Sequence, residues 1–180
     1  QVKFSLAHDD PGFDWKKIDI GLERALKCDA TVKKIANHCL LITNAKEDKV
    51  VAWLKAHHPE IRVVGSGQMI EIFKEVGLPE AVYDKFDLDD AKGTHAIGHT
   101  RMATESAVTT AGSHPFATGA DLCLVHNGSL SNHNRLRENP ALEFTPRTFF
   151  FAGKAAPAYF QAKLSIKLVN AVARVVNNDP

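Results

Sequence analysis

The chain has 180 residues, of which 44% are apolar, so it can bury the core of one domain or two small ones. Its 22 basic and 21 acidic side chains give a net charge of +1, which argues against the basic surface of a nucleic-acid binder. No apolar run approaches the roughly 18 residues of a membrane span, and no secretory pattern opens the chain. We therefore expect a cytoplasmic protein that binds neither nucleic acid nor membrane.

The first 86 residues alternate between strand-like and helix-like patterns. Apolar residues recur at every second position from Val2 to Leu6, which predicts a strand, and a turn follows at residues 9–12. Asp14 is placed to cap a helix that reaches Lys27. The predicted elements beyond it are strands at 31–34 and 38–43, a helix at 47–57 and a strand at 61–64. Their order predicts a small α+β or split βαβ module.

The sequence Gly65-Ser66-Gly67 comes next. It lacks the third glycine of a dinucleotide-binding loop, and no Gly-Lys-Ser/Thr follows it. We predict a plain turn here rather than a phosphate site.

The cysteines Cys28, Cys39 and Cys123 are widely spaced and odd in number, which is typical of reduced thiols. Cys39 and Cys123 lie in apolar runs, so we expect both to be buried and unreactive. The nine histidines have no carboxylate or thiol at zinc-like spacing, and we predict no metal site.

Three short motifs suggest chemistry: residues 98–104 (GHTRMAT), 114–116 (HPF) and 126–132 (HNGSLSN). Strands are predicted at 93–102, as a buried strand, and at 122–126. The fork of the Arg101 guanidinium matches a carboxylate, although a surface salt bridge is its alternative role. Asn127 and Gly128 offer two N–H donors suited to an oxyanion, although Asn-Gly is also typical of a hairpin turn. Together these groups predict a pocket that binds glutamine.

The motifs resemble those of the class II glutamine amidotransferases, whose catalytic domain is an N-terminal-nucleophile hydrolase. The likeness is closest to the amidotransferase subunit of the glutamate-synthase-like and N-methylglutamate synthase group. It covers about residues 1–137 and includes residues 69–79. It implies part of an αββα fold of stacked sheets, no cofactor, and transfer of ammonia to a synthase partner subunit.

The same resemblance assigns roles to individual residues. Arg101 would anchor the carboxylate of glutamine, and Asn127 with Gly128 would form the oxyanion hole. Thr104 and His114 would line or support the pocket. His99 and His95 are expected to be core histidines or to support the residues that contact substrate.

Two features depart from the family pattern. The family nucleophile is an N-terminal cysteine whose own amine accepts the thiol proton, whereas this chain begins with Gln1 and has internal cysteines only. The Asn-Asp-Thr-Glu-like motif, whose aspartate holds the substrate amine, is absent as well. We therefore expect the chain as given to be inactive as a glutaminase.

Residues 146–159 (PRTFFFAGKAAPAY), with parts of residues 162–180, resemble the glycogen and maltodextrin phosphorylases. A strand is predicted at 148–152. A helix is predicted to begin at Pro157 and to place Val172 and Val176 on its apolar face. The lysine motif that binds pyridoxal phosphate in phosphorylases is absent, so neither the cofactor nor phosphorolysis is predicted. The change from one likeness to the other is expected between Arg135 and Arg147.

These observations suggest three units, at residues 1–86, 87–140 and 141–180. The leading hypothesis is a glutaminase-type domain. The alternatives are a non-catalytic docking or structural module, and a role in sugar-phosphate handling. Because a stacked-sheet domain that lacks its first strand has an open core, we expect either an oligomer or a tail that packs beside residues 98–127.

Overall fold

The computed structural model describes residues 1–93, 96–100 and 108–125, and the backbone of residues 172–175. This part of the chain combines helices with antiparallel strands, which confirms the α+β class. None of its helices is long and apolar enough to cross a membrane. The strand predicted at 148–152 and the start of the helix predicted from Pro157 lie outside the described residues.

The N-terminal module is a four-stranded antiparallel sheet with two helices. Its elements are β1 (Val2–Ala7), α1 (Lys16–Leu26), β2 (Ala30–Ile35), β3 (His38–Thr43), α2 (Glu47–His57) and β4 (Arg62–Gly67). The strand order is β2-β3-β1-β4, and each neighbouring pair is antiparallel. Strand β3 therefore separates β1 from β2, and β1 separates β3 from β4. This ferredoxin-like arrangement confirms the predicted split βαβ module.

The apolar alternation in β1 explains the face that the helices cover. Phe4 and Leu6 of β1 pack with Leu41 of β3 against both helices. The helices contribute Ile18, Leu22, Val50 and Leu54, all of which are buried. The predicted helix is observed as α1, but Trp15 rather than Asp14 occupies its N-cap position and makes no side-chain capping bond. The Asp14 carboxylate accepts the N–H of Lys16 at 3.2 Å.

The turn predicted at Gly65-Ser66-Gly67 is wrong. These residues complete β4, in which Gly65 pairs with Ser5 and Gly67 pairs with Lys3. A Cβ on Gly65 would lie 2.7 Å from the terminal methyl carbon of Ile72. Gly65 is therefore needed for close packing rather than for a turn.

The second face of the sheet carries buried polar side chains. Lys3, Ser5 and His38 are each less than 10% exposed. Strand β5 (Ile70–Phe73) and the residues that follow it supply partners for all three. Lys3 Nζ lies 3.3 Å from Glu71 Oε1, in an ion pair between two buried side chains.

Backbone N–H groups of the same segment donate hydrogen bonds to Ser5 and His38. The Ile72 N–H donates to Ser5 Oγ at 2.9 Å, and the Lys74 N–H donates to His38 Nε2 at 3.3 Å. Side chains are thus buried on both faces of the sheet. Lys3, Ser5 and His38 each bond to β5 or the residue after it, because buried polar groups need hydrogen-bond partners.

Helix α3 (Pro79–Lys85) completes the cover over this face. Phe73, Val82 and Phe86 form a separate apolar cluster with Leu40 of β3. The edge of the Phe86 ring contacts the His38 ring, with centroids 4.8 Å apart. A short 3-10 helix, Leu88–Asp90, follows.

A second sheet joins distant parts of the chain. Strand β9 (Val172–Val175) lies between β5 and β6 (Ala96–Ile97), antiparallel to both. The helix predicted to include Val172 is therefore wrong at these residues. Valines favour strands, and here the unpaired edges of two other strands are available to them. The tail thus places a strand beside residues 96–97, just outside the range 98–127 of the expected contact, so that contact stays a prediction.

The strand predicted at 93–102 is also much shorter than expected. Only Ala96 and Ile97 form it among the described residues, and both are exposed rather than buried. No described element covers their side chains. The strand predicted at 122–126 is observed as β8 (Leu122–Leu124), which pairs with β7 (Phe116–Gly119) in a hairpin.

Asp121, in the turn of this hairpin, binds the turn between β4 and β5. Its carboxylate accepts the N–H groups of Gln68, Met69 and Ile70 at 2.7 to 3.0 Å. Burial opposes the charge, but these three hydrogen bonds prevail and lower the pKa of Asp121. A Cβ on Gly67 would lie 2.2 Å from the carboxylate, so only glycine fits there.

Replacing Ser5 with alanine tests the contact between β1 and β5. The Ile72 N–H would lose its acceptor in a buried position, and we expect the free energy of unfolding to fall by about 1–3 kcal/mol. Urea denaturation measures this change. Thr31→Ala, on the exposed side of edge strand β2, is the control and should change stability by less than about 0.5 kcal/mol. Equal effects of the two substitutions would contradict the role of Ser5.

Candidate functional site

The structure describes one of the five predicted site residues. His114 lies in the described segment 108–125, whereas Arg101, Thr104, Asn127 and Gly128 lie outside the described residues. The geometry around His114 therefore shows which segments meet at the candidate site. His95 also lies outside the described residues.

His114 is buried, with 6% of its surface exposed, and its ring packs against that of His99. The two ring centroids are 4.3 Å apart, and the rings are tilted by 48°. The edge of the Phe116 ring contacts His114 from another side, with centroids 4.7 Å apart. His99 is thus buried beside His114, which fits both of its predicted roles, a core histidine or one that supports the residues in contact with substrate.

Two chain segments meet at this cluster. One contains His99, and the other runs from Val108 to Phe116. Strand β8 pairs with the second segment through Leu124 and Phe116. The structure therefore brings together residues of two motifs, 98–104 and 114–116, whereas the motif at 126–132 lies outside the described residues.

Lys74 and Glu75, which directly follow β5, contact the segment that carries His114, and the sequence analysis gave them no role. Lys74 places its ammonium group 4.9 Å from the centre of the Phe116 ring, a cation–π contact. Glu75 accepts a hydrogen bond from Thr110 Oγ1 at 3.2 Å. Both lie in the stretch 69–79, which the resemblance covered without giving its residues a role.

Glu75 also connects the site to the N-terminal module. Its Oε2 accepts hydrogen bonds from Asn37 Nδ2 at 2.9 Å and from Lys85 Nζ at 2.5 Å. Burial raises the pKa of this carboxyl, but the bonds from Lys85, the Val76 N–H and Asn37 outweigh it, so the net pKa is lowered. Glu75 is therefore ionised at neutral pH.

Asn37 continues this network to His38. Because His38 Nε2 accepts the Lys74 N–H, its proton is on Nδ1, which donates to Asn37 Oδ1 at 3.0 Å. Burial lowers the pKa of His38 to about 4. The ring is neutral at pH 7 and holds one tautomer.

Two of the three cysteines, Cys39 and Cys123, lack the features of an activated thiol. Cys39 is buried, as predicted, and burial raises the pKa of its thiol to about 12. Cys123 is half-buried rather than buried, and burial raises its pKa as well. The Cys28 thiol lies 3.8 Å from the Leu22 carbonyl oxygen. Nucleophilic cysteines need a lowered pKa, which neither Cys39 nor Cys123 has.

A surface cleft of about 470 Å³ lies elsewhere, between α1 and the edge strand β2. Phe13, Trp15, Val32 and Lys34 are among the residues that line it. It includes none of the predicted site residues. Among the described residues, no group of His, Cys, Asp and Glu side chains is arranged to hold a metal ion.

Comparison with known proteins supports two likenesses. The chain is 47% identical over 137 residues to the glutamine amidotransferase-like protein GlxB of Rhizobium meliloti, which is 76% of this chain and 46% of that protein. It is 30% identical over 138 residues to a putative glutamine amidotransferase of Methanothermobacter thermautotrophicus, covering 72% of this chain and 45% of that protein. The chain thus spans less than half the length of these relatives.

The second likeness concerns the C-terminal part. Residues 126–180 match the carbohydrate phosphorylase family. Glycogen phosphorylase of Synechocystis is 65% identical over 46 residues, which are 26% of this chain and 5% of the enzyme. The family match begins at His126, upstream of the expected change between Arg135 and Arg147, so Asn127 and Gly128 fall within it. No solved structure matches the chain significantly.

The neutral state of His38 predicts a pH dependence of stability. In the unfolded chain the pKa of histidine is near 6.5, against about 4 in the folded protein. Between these values the unfolded chain binds more protons, so stability falls as the pH decreases from 6.5 to 4, by about 3 kcal/mol.

Urea denaturation across this pH range measures that loss. His38→Gln keeps an acceptor for the Lys74 N–H but does not titrate, so its stability should depend less on pH. If the variant and the wild-type chain lost the same stability between pH 6.5 and 4, His38 would not be the group responsible.

Proposed function

We propose that this chain carries part of a class II glutamine amidotransferase domain of the N-terminal-nucleophile hydrolase type. Among these enzymes, we propose that it is most similar in function to the glutamate-synthase-like amidotransferases. Two findings support the proposal: the similarity to glutamine amidotransferase-like proteins over three quarters of the chain, and the meeting of His99, His114 and Phe116 in one cluster. The similarity carries the proposal. The cluster supports it, because His99 lies in the motif at 98–104 and His114 with Phe116 in the motif at 114–116, so two of the three motifs meet there.

In the proposed pocket, Arg101 binds the α-carboxylate of glutamine through two parallel hydrogen bonds. The side-chain amide of Asn127 and the N–H of Gly128 donate to the amide oxygen of the substrate, which becomes the oxyanion when a nucleophile attacks. Thr104 and His114 line the pocket. His114 is held in place by its contacts with His99 and Phe116.

Hydrolysis needs an activated thiol in addition to these groups. A thiolate attacks the side-chain amide carbonyl of glutamine, the C–N bond breaks as ammonia leaves, and water then hydrolyses the thioester. Cys39 and Cys123 have raised pKa values, which disfavours the thiolate. We propose that the 180-residue chain binds glutamine without hydrolysing it. Where an activated thiol is present, the ammonia would pass to a synthase partner.

Glutamine binding by the purified chain tests the proposal. Calorimetry should detect binding, and Arg101→Lys should weaken it by about 10- to 100-fold, because one hydrogen bond to a charged group contributes about 1.5–3 kcal/mol. Arg62→Lys is the matched control, since Arg62 forms its ion pair with the exposed Asp9 on the N-terminal module. Absence of binding, or equal affinities of both variants, would contradict the pocket.

Covalent labelling tests the state of the cysteines. A glutamine-analogue diazo-ketone labels the thiolate nucleophile of an active glutaminase, and we expect it to leave Cys28, Cys39 and Cys123 unmodified. Mass spectrometry of the treated chain measures this. Glutamine-protectable labelling of one of these cysteines would show that it serves as the nucleophile.

The phosphorylase-like segment suggests a second candidate, a role in sugar-phosphate handling. The observation in its favour is the family match over residues 126–180. The matched relative shares only 5% of its length with this chain, so the segment contributes structure rather than an active site in the leading proposal. Visible absorbance from a pyridoxal Schiff base in the purified protein would favour the second candidate, whereas a colourless protein would contradict it.

A further inference from the structure

Glu75 joins three separate parts of the fold through one carboxylate. Oε2 accepts bonds from Asn37, in the turn between β2 and β3, and from Lys85 at the end of α3. Oε1 accepts the Val76 N–H at 2.8 Å and the hydroxyl of Thr110 at 3.2 Å. Four donors thus surround the two oxygens, which fixes the orientation of the carboxylate.

Thr110 belongs to a turn that is braced by its own hydrogen bonds. Its carbonyl oxygen accepts the N–H of Ser113 at 3.3 Å and the Ser113 hydroxyl at 2.7 Å. The hydroxyl of Thr109 accepts the Gly112 N–H at 3.1 Å. Because these bonds make the turn rigid, holding Thr110 in place also holds the other end of the turn, where His114 is buried.

The residue beside Glu75 reinforces the same attachment. The Lys74 ammonium lies over the Phe116 ring, two residues beyond His114. Lys74 and Glu75 therefore contact the segment 108–116 on both sides of His114. Their own backbone is fixed by the bond from the Lys74 N–H to His38 in the N-terminal module.

We propose that Glu75 is a positioning residue, which holds the segment 108–116 so that His114 is correctly placed in the glutamine pocket. This inference rests on the proposed function of that pocket. Through Asn37 and His38, the N-terminal module then contributes to glutamine affinity without contacting the substrate. The N-terminal module therefore supports the pocket and does not act as an independent domain.

Two substitutions and two controls test the inference. Glu75→Gln removes the charge but keeps the shape, and Thr110→Val removes the hydroxyl, whereas Thr110→Ser retains it. Glu80→Gln is the matched control, because Glu80 is exposed in the first turn of α3. Hydrogen exchange followed by mass spectrometry measures the protection of residues 108–116, and calorimetry measures glutamine affinity.

We expect Glu75→Gln and Thr110→Val to speed exchange in residues 108–116 and to weaken glutamine binding, each by about tenfold. Thr110→Ser and Glu80→Gln should resemble the wild-type chain in both measurements. Exchange in β1 and β3 serves as the internal reference, since a general loss of stability would raise it equally. Unchanged exchange in 108–116, or equal acceleration throughout the chain, would overturn the positioning role.

The two measurements separate this inference from the proposed function. If the wild-type chain failed to bind glutamine, the proposed function would be wrong, while the exchange data would still decide whether Glu75 holds the segment. If exchange changed locally but glutamine affinity did not, the link from Glu75 to the pocket would be refuted.

Discussion

The arrangement of the described residues depends on the contact between the second face of the N-terminal sheet and the strand that crosses it. A ferredoxin-like sheet needs one apolar face for its two helices, and here the other face is buried too. Lys3, Ser5 and His38 would be costly to bury alone, because unpaired polar groups lose their bonds to water. Each has a partner in the segment 71–74, so burial and hydrogen bonding are satisfied together.

This contact also explains how the candidate site is connected to the rest of the molecule. The segment that satisfies Ser5 and His38 continues directly into Lys74 and Glu75, which contact the residues around His114. A single stretch of backbone is therefore shared between the support and the site. The charged side chains of Lys74 and Glu75 at its end contact Phe116, Thr110, Asn37 and Lys85 from separate parts of the fold, which favours one conformation over several.

The tail illustrates how competing preferences are decided. Val172 continues the apolar spacing of a helix face, and two of the four residues 172–175 are β-branched valines, which suit a strand. Local pattern alone favoured the helix. The free edges of β5 and β6 favoured the strand, and backbone pairing to two neighbours outweighed the helical periodicity. Gly65 shows the same effect, since the packing of Ile72 rather than turn formation explains the glycine.

Periodicities of two and about 3.6 residues within short windows were enough to predict the elements of residues 2–57, their order and the apolar faces of β1, α1 and α2. They were not enough for β4, which extends through the glycines predicted as a turn. The motifs also revealed the likeness to amidotransferases. The tertiary fold alone accounts for the burial of Lys3 and Ser5, the position of β9 between β5 and β6, and the contact of Glu75 with Thr110. These contacts join residues 35 or more positions apart, and no local pattern records which distant strand will cover a polar face.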